Sequence, residues 1–239
     1  MAHTALRVRE EVRETILEAA QRLFQRYGYK KTNVEDIAQE AGICRGTVYL
    51  YFKSKEEIAL SWLERNNRRL RAELERIAGL EETPTGKLRQ MLLARVLIRF
   101  DFAQPYTQSL DDLLAALRAP LLVHRERNHA EEARIIARVL EEGAALGEFV
   151  FNNALSTAAL LVLATNSLLP YSLSTRQLGE RAEIEAKARG LIYLLLEGLH
   201  RRDTGTSVPG HPGKPASLPG QRETGSASDI PSISGEEGR

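Results

Sequence analysis

Apolar positions along this chain recur at the three-to-four-residue spacing of helices, and no convincing strand alternation interrupts them. Val12, Ile16, Ala19, Ala20, Leu23, Phe24 and Tyr27 form one amphipathic stripe of roughly five turns, stopped by Gly28. In "TNVEDIAQEAG", Thr32 followed by Glu35 reads as a capping box, with Val34, Ile37, Ala38 and Ala41 as the buried face before Gly42. A short helix follows from about Arg45, broken at Lys53-Ser54. Ser54 then caps a long fourth helix toward Gly79, with Glu57 as its box partner. That helix carries Ile58, Leu60, Trp62, Leu63, Leu70, Leu74 and Ile77, and is long enough to bridge two bodies.

Thr83-Pro84 opens a fifth helix, because proline is tolerated in a first turn. Residues Leu88 to Phe102 are apolar almost all round, which predicts a central position in a bundle. Pro105, Pro120 and Gly143/Gly147 divide the next region into a short and a longer helix. Two further helices follow, one from Ala154 to Leu169 ending at Pro170, the next capped by Ser174 or Thr175 and striped by Ile184, Ala188, Leu191, Ile192, Leu195, Leu196 and Leu199. Their wide apolar faces fit burial within one chain, or pairing with the same two helices of a second copy. The pattern therefore predicts an all-α chain with boundaries at 1–54, 55–202 and 203–239. The last segment, dominated by Gly, Pro and Ser, cannot offset its ordering entropy and is expected to be disordered.

Composition adds little to that picture except by exclusion. The net charge of +1 gives no global field, so any basic surface must be local. Residues 1–55 supply it, with ten Lys and Arg against seven Asp and Glu. The single cysteine, Cys44, cannot form an internal disulfide and fits a reducing compartment. No signal-like start appears, and no apolar run reaches the ~18–20 residues of a membrane span, so a cytoplasmic location without membrane association is expected. A Gly-rich phosphate loop, CxxC, HExxH and a nucleophile elbow are all missing, and no catalytic role, cofactor or metal is assigned.

Helix, turn at Gly42, then short second helix is the helix-turn-helix layout, in which the second helix enters the DNA major groove. Val48 and Phe52, four apart, fall on the side facing the protein, leaving Arg45, Thr47, Tyr49 and Tyr51 for the outer and flanking surfaces. Arg pairs with guanine edges, Thr offers a methyl and a hydroxyl, and Tyr reaches phosphate or a thymine methyl. Gly46 would let the backbone approach a phosphate, and Lys55 opens the next helix with its ammonium near free amides.

The string "FQRYGYKKTNVEDIAQEAGICRGTVYLYFKSKEEI" resembles the DNA-binding region of the tetracycline-repressor (TetR) family of bacterial transcription regulators. Gly28-Tyr29, Thr32, Asp36-Ile37-Ala38, Ala41-Gly42-Ile43, Gly46-Thr47-Val48-Tyr49, Tyr51-Phe52 and Lys55 carry the likeness, across about residues 9–60. The resemblance implies phosphate contacts from Thr32 and Asn33, groove or base contacts from Arg45, Thr47 and Tyr49, and backbone contacts from Tyr51 and Lys55, with Gly46 allowing close approach. It further implies a homodimer through the last two helices, about 154–169 and 175–201, on double-stranded palindromic operator DNA. A small-molecule effector in the helical carboxy-terminal domain would release this repressor. The alternative is a helix-turn-helix DNA-binding or interaction module that senses no ligand. Cys44 departs from the serine more usual at that cap, and thiol is a poor capping acceptor.

Four further groups invite a site. Arg95 and Arg99 share a helix face and suit either an anionic ligand or the solvated or salt-bridged edge of the helix. Asn166 fits a ligand's polar group or an interface hydrogen bond equally well. His124 and His129, five apart, do not share a face as a metal pair would, and read as part of a charged surface stripe; Tyr106, Tyr171 and Trp62 suit a pocket or plain packing.

Overall fold

Helix α1 (Ala2–Tyr27) stops where Gly28 takes a φ of 80°, a left-handed conformation that disfavours any side chain with a Cβ. Its buried face is Ile16, Leu17, Ala19, Ala20, Leu23 and Phe24; Tyr27, expected on that stripe, is exposed beneath the Arg26 guanidinium. α2 (Val34–Glu40) is capped by Asn33, whose side chain accepts from the Asp36 amide while the Asp36 carboxylate accepts from the Asn33 amide. The box is therefore one residue later than Thr32–Glu35. The cause is local: Thr32 Oγ1 donates to the Gly28 carbonyl at 2.9 Å and is buried, closing the turn out of α1. Gly42, at φ 68°, then turns the chain into α3 (Arg45–Tyr51).

α4 (Lys55–Ala78) starts at Ser54, whose hydroxyl accepts from the Glu57 amide. The Glu57 carboxylate accepts from the Lys53 amide rather than the Ser54 amide, so only half of the expected box forms. Its first turns place Ile58, Ala59, Trp62 and Leu63 in a lower core with Ile16, Phe24, Ile37, Val48 and Phe52. Its later turns place Leu70, Leu74 and Ile77 in an upper core. Packing therefore runs without a break across the expected boundary at 54/55. The lower core also takes Ala103 and Tyr106 from the end of α5 (Pro84–Ala103) and the following turn, and Leu113 and Leu117 around α6 (Leu110–Ala116).

α5, with Thr83 as cap and Pro84 in its first turn, packs against α4, α7 (Arg118–Ala145), α8 (Ala154–Thr165) and α9 (Arg181–Glu197), as its apolar circumference predicts. The architecture is all-α. An isolated antiparallel bridge joins Phe149 to His200, and no strand forms among the described residues. The structure is a computed structural model that describes residues 2–106, 110–169 and 179–200. The expected tail 203–239, Pro170, Tyr171 and the caps at 174 or 175 lie outside the described residues. No helix among the described residues is long and apolar enough to cross a membrane.

One ionic cluster lies inside the upper core. Arg95 donates from Nε to Glu132 at 2.7 Å, Arg99 donates to the other oxygen of the same carboxylate, and all three side chains are buried. Arg95 also donates from Nη1 to Thr165 Oγ1 and from Nη2 to Asn166 Oδ1, both at 2.5 Å. Arg95 and Arg99 are thus salt-bridged, but inside the bundle rather than at a solvated edge, and Asn166 is a hydrogen-bond partner of Arg95. Removing one partner of such a cluster leaves uncompensated buried charge, which costs about 3–5 kcal/mol. Glu132→Ala should therefore lower thermal stability severely. Glu75→Ala, which breaks the exposed pair with Arg138, should change it by less than about 1 kcal/mol. Thermal unfolding of the two variants side by side checks this, and equal effects would contradict it.

Candidate nucleic-acid interface

α3 is held from behind. Val48 is 0% and Phe52 1% exposed, both in the lower core, so the opposite side of the helix must face outward. That side carries Arg45, Tyr49 and Leu50, with Leu50 76% exposed. Arg45 donates to Glu35 of α2 at 3.1 Å and to the Tyr49 hydroxyl at 3.3 Å, while its guanidinium lies over the Tyr49 ring. Its hydrogen bond to the Tyr49 hydroxyl, then the charge of Glu35, raise its pKa. These contacts are solvent-exposed, so they pre-set the side chain's direction at little energetic cost to remaking them on a base edge.

The flanks of α3 differ from the sequence reading in four places. Lys55, expected to face phosphate, donates from Nζ to the carbonyls of Tyr29 and Thr32, each at 2.8 Å, and sits 4.3 Å from the Tyr29 ring centroid. Burial lowers its pKa. Two of its three donors are thus spent tying the start of α4 to the α1–α2 turn. Thr32 is 2% exposed with its hydroxyl turned to Gly28, so its side chain is not offered to DNA. Asn33 stays on the surface, but its side-chain oxygen serves the cap of α2. Arg9 and Arg13, which the sequence reading passed over, lie over the rings of Tyr51 and Phe52 at 6.0 and 5.0 Å, adding basic charge beside α3. Their four-residue spacing on the predicted first helix was the available signal.

Two small residues complete the face. Cys44 caps α3 without a side-chain hydrogen bond to the helix amides, and its Sγ contacts Thr47 Oγ1 at 3.6 Å. A Cβ built on Gly46 would meet nothing within 4 Å, so no neighbour inside the chain requires a glycine there. The space above Gly46 is open to a partner. An exposed seven-residue helix seated on a fixed partner helix, with guanidinium, phenol and apolar groups outward, has the dimensions and chemistry of major-groove readers.

Residues 16–61 match the family model described as bacterial regulatory proteins, tetR family. The HTH-type transcriptional regulator YfiR of Bacillus subtilis is 30% identical over 161 residues, covering 63% of this chain and 74% of YfiR. The chain belongs to the tetR family. As such it is a helix-turn-helix, DNA-binding transcriptional regulator. TtgR of Pseudomonas putida is 36% identical over 92 residues, a match confined to 36% of this regulator and 43% of TtgR. The structure of a SmeT–triclosan complex superposes with a TM-score of 0.60 at 20% identity, over 84% of this chain and 99% of SmeT, a likeness of fold.

Gly46→Ala separates folding from DNA contact in this tetR-family regulator. In an exposed helix the change favours the folded state by about 0.5–1 kcal/mol, so Tm should hold or rise while DNA affinity falls. Unchanged affinity in a gel-shift titration would remove the close-approach role. Lys55→Ala should lower Tm as well as affinity, because the ammonium closes the α1–α2 turn; a loss of affinity with Tm intact would return it to phosphate alone.

Proposed function

We propose that this regulator is a homodimeric repressor that binds a palindromic operator and is released from it by a small-molecule effector. Residues 1–54 are its DNA-binding part and 55–202 its effector and dimerisation part. It works in the cytoplasm by binding alone, with no catalytic step. Arg45, Thr47, Tyr49 and the backbone at Gly46 read the groove, while Tyr51, Asn33 and the free donor of Lys55 position the backbone.

The observation that carries this reading is the double burial of α4, whose two ends lie in different cores. An effector that favours an upper-core arrangement with α4 displaced also favours a displaced α3, which is a population shift transmitted by one rigid helix. Half-sites one helical turn apart, about 34 Å, tolerate little such displacement. Dimerisation is supported by apolar side chains turned outward: Leu155, Leu160 and Leu163 of α8 and Tyr193 and Leu194 of α9 are 49–69% exposed. A second copy would cover them. The triclosan in the SmeT complex supports an effector in this fold.

Selection of bound sequences from a random DNA pool should enrich an inverted repeat with half-site centres about one turn apart, near 34 Å. Single half-sites, or no enrichment, would overturn the dimeric operator reading. Leu163→Glu should leave the helix content intact and shift the protein from dimer to monomer in light scattering. Persistence of the dimer would place the interface elsewhere.

A further inference from the structure

The buried ionic cluster is not neutral. Two guanidiniums, Arg95 and Arg99, share the single carboxylate of Glu132, and both of its oxygens are taken. The other acceptors of Arg95 are the neutral Thr165 and Asn166, so a net charge of about +1 stays inside the upper core. Arg99 uses a second nitrogen on the Arg95 carbonyl at 3.4 Å. Of the five N–H donors of a guanidinium, several therefore remain free.

Arg99 of α5 lines, together with α4 and α7, a partly open cavity of about 20 Å³. Leu60 and Leu63 of α4 and Leu121 of α7 supply its apolar wall; Arg125 and His129 of α7 stand at its polar side. Arg125 makes no ion pair among the described residues. The one carboxylate in the wall, Glu64, is already engaged by Arg71 at 2.7 Å, by Asn128 at 3.3 Å and by Arg127 at 3.5 Å. Burial and the charge of Arg95, with Arg99 and Arg125 adding to it against Glu132, push the His129 pKa down to about 4. The imidazole is neutral at pH 7 and adds no charge to the cluster.

We infer that this cavity takes the carboxylate of a small organic monoanion, with Arg99 and Arg125 as its partners and Leu60, Leu63 and Leu121 against its apolar body. The inference rests on the effector reading above and names the chemistry of that effector. A monoanion balances the buried surplus, whereas a neutral compound leaves it and a cation adds to it. The cavity in its present form holds about one water, so anything larger than the carboxylate itself enters only by parting α4 from α7. The lower half of α4 lies in the core that seats α3, so parting the helices moves the DNA-reading surface. The larger groove of about 380 Å³ between α7 and α8 is less suited: its polar groups are His129 and Arg134, and it opens along Leu155 and Leu163, the face assigned to the second copy.

The test is calorimetric titration of the full-length protein with acetate, butyrate, hexanoate, octanoate and benzoate, each against the amide of the same carbon skeleton at constant ionic strength. At least one carboxylate should bind more than about tenfold tighter than its amide, as a charge-assisted hydrogen bond allows. Arg125→Gln, at an exposed position, should fold normally and weaken that carboxylate about threefold; Arg99→Lys should weaken it more than tenfold. Equal binding of acid and amide, no binding across the panel, or unchanged affinity in Arg125→Gln together with a folded Arg99→Lys would overturn the assignment. Operator release by a neutral or cationic compound would overturn it too and leave the effector reading standing. Tight carboxylate binding without any change in operator affinity would keep the site and overturn the release reading instead.

Discussion

Everything that lets this molecule act at a distance depends on α4 being buried twice. Ile58, Ala59, Trp62 and Leu63 close the lower core, and Leu70, Leu74 and Ile77 close the upper one, within a single 24-residue helix. Apolar burial at both ends makes each core sensitive to the position of the other, because close-packed interiors transmit small displacements. The coupling is reinforced from the opposite direction. Phe102 and Tyr106 bring the end of α5 down against Trp62, with ring centroids 4.7 and 5.0 Å from the indole, and Phe24 of α1 meets it at 5.8 Å. The aromatic knot thus joins α1 and α4 of the lower core to α5 at the centre of the bundle.

Polar interactions divide by depth. On the exposed face of α3, Arg45, Glu35 and Tyr49 pair in solvent, where ion pairs are weak and partners are exchanged cheaply. Inside the upper core, Arg95, Arg99 and Glu132 pair without solvent, where an uncompensated charge is costly. Between the two, Arg71 links Glu64 of α4 to Asn128 and Glu131 of α7, at 2.6–3.0 Å. That half-buried network sets how firmly α4 is held against α7.

Much of this was legible before any coordinates, and the reasons are local. Val48 and Phe52 lie four apart on a short helix, so one face had to be the protein's. Thr83-Pro84 and Ser54 are start signals that act within a single turn. The failures are of two kinds. Thr32–Glu35 and Asn33–Asp36 are overlapping cap patterns one residue apart, and the choice between them depends on the hydroxyl of Thr32 reaching back to Gly28. The partners of Lys55 and of the pair Arg95/Arg99 are not legible in the sequence because they are remote: two carbonyls 26 and 23 residues earlier, and one carboxylate 37 and 33 residues later. Spacing along one helix says which side chains share a face, and it says nothing about what that face meets.

Since Trp62 is the chain's single tryptophan and sits where the lower core, α4 and α5 converge, its fluorescence reports the junction alone, whereas far-UV circular dichroism reports every helix. Urea unfolding followed by both signals on one sample tests the coupling through α4 directly. Coincident transitions with the same midpoint and slope are the predicted result, because neither core can open without exposing part of α4. A fluorescence transition clearly separated from the helical one would mean that the two cores unfold independently and that α4 does not couple them.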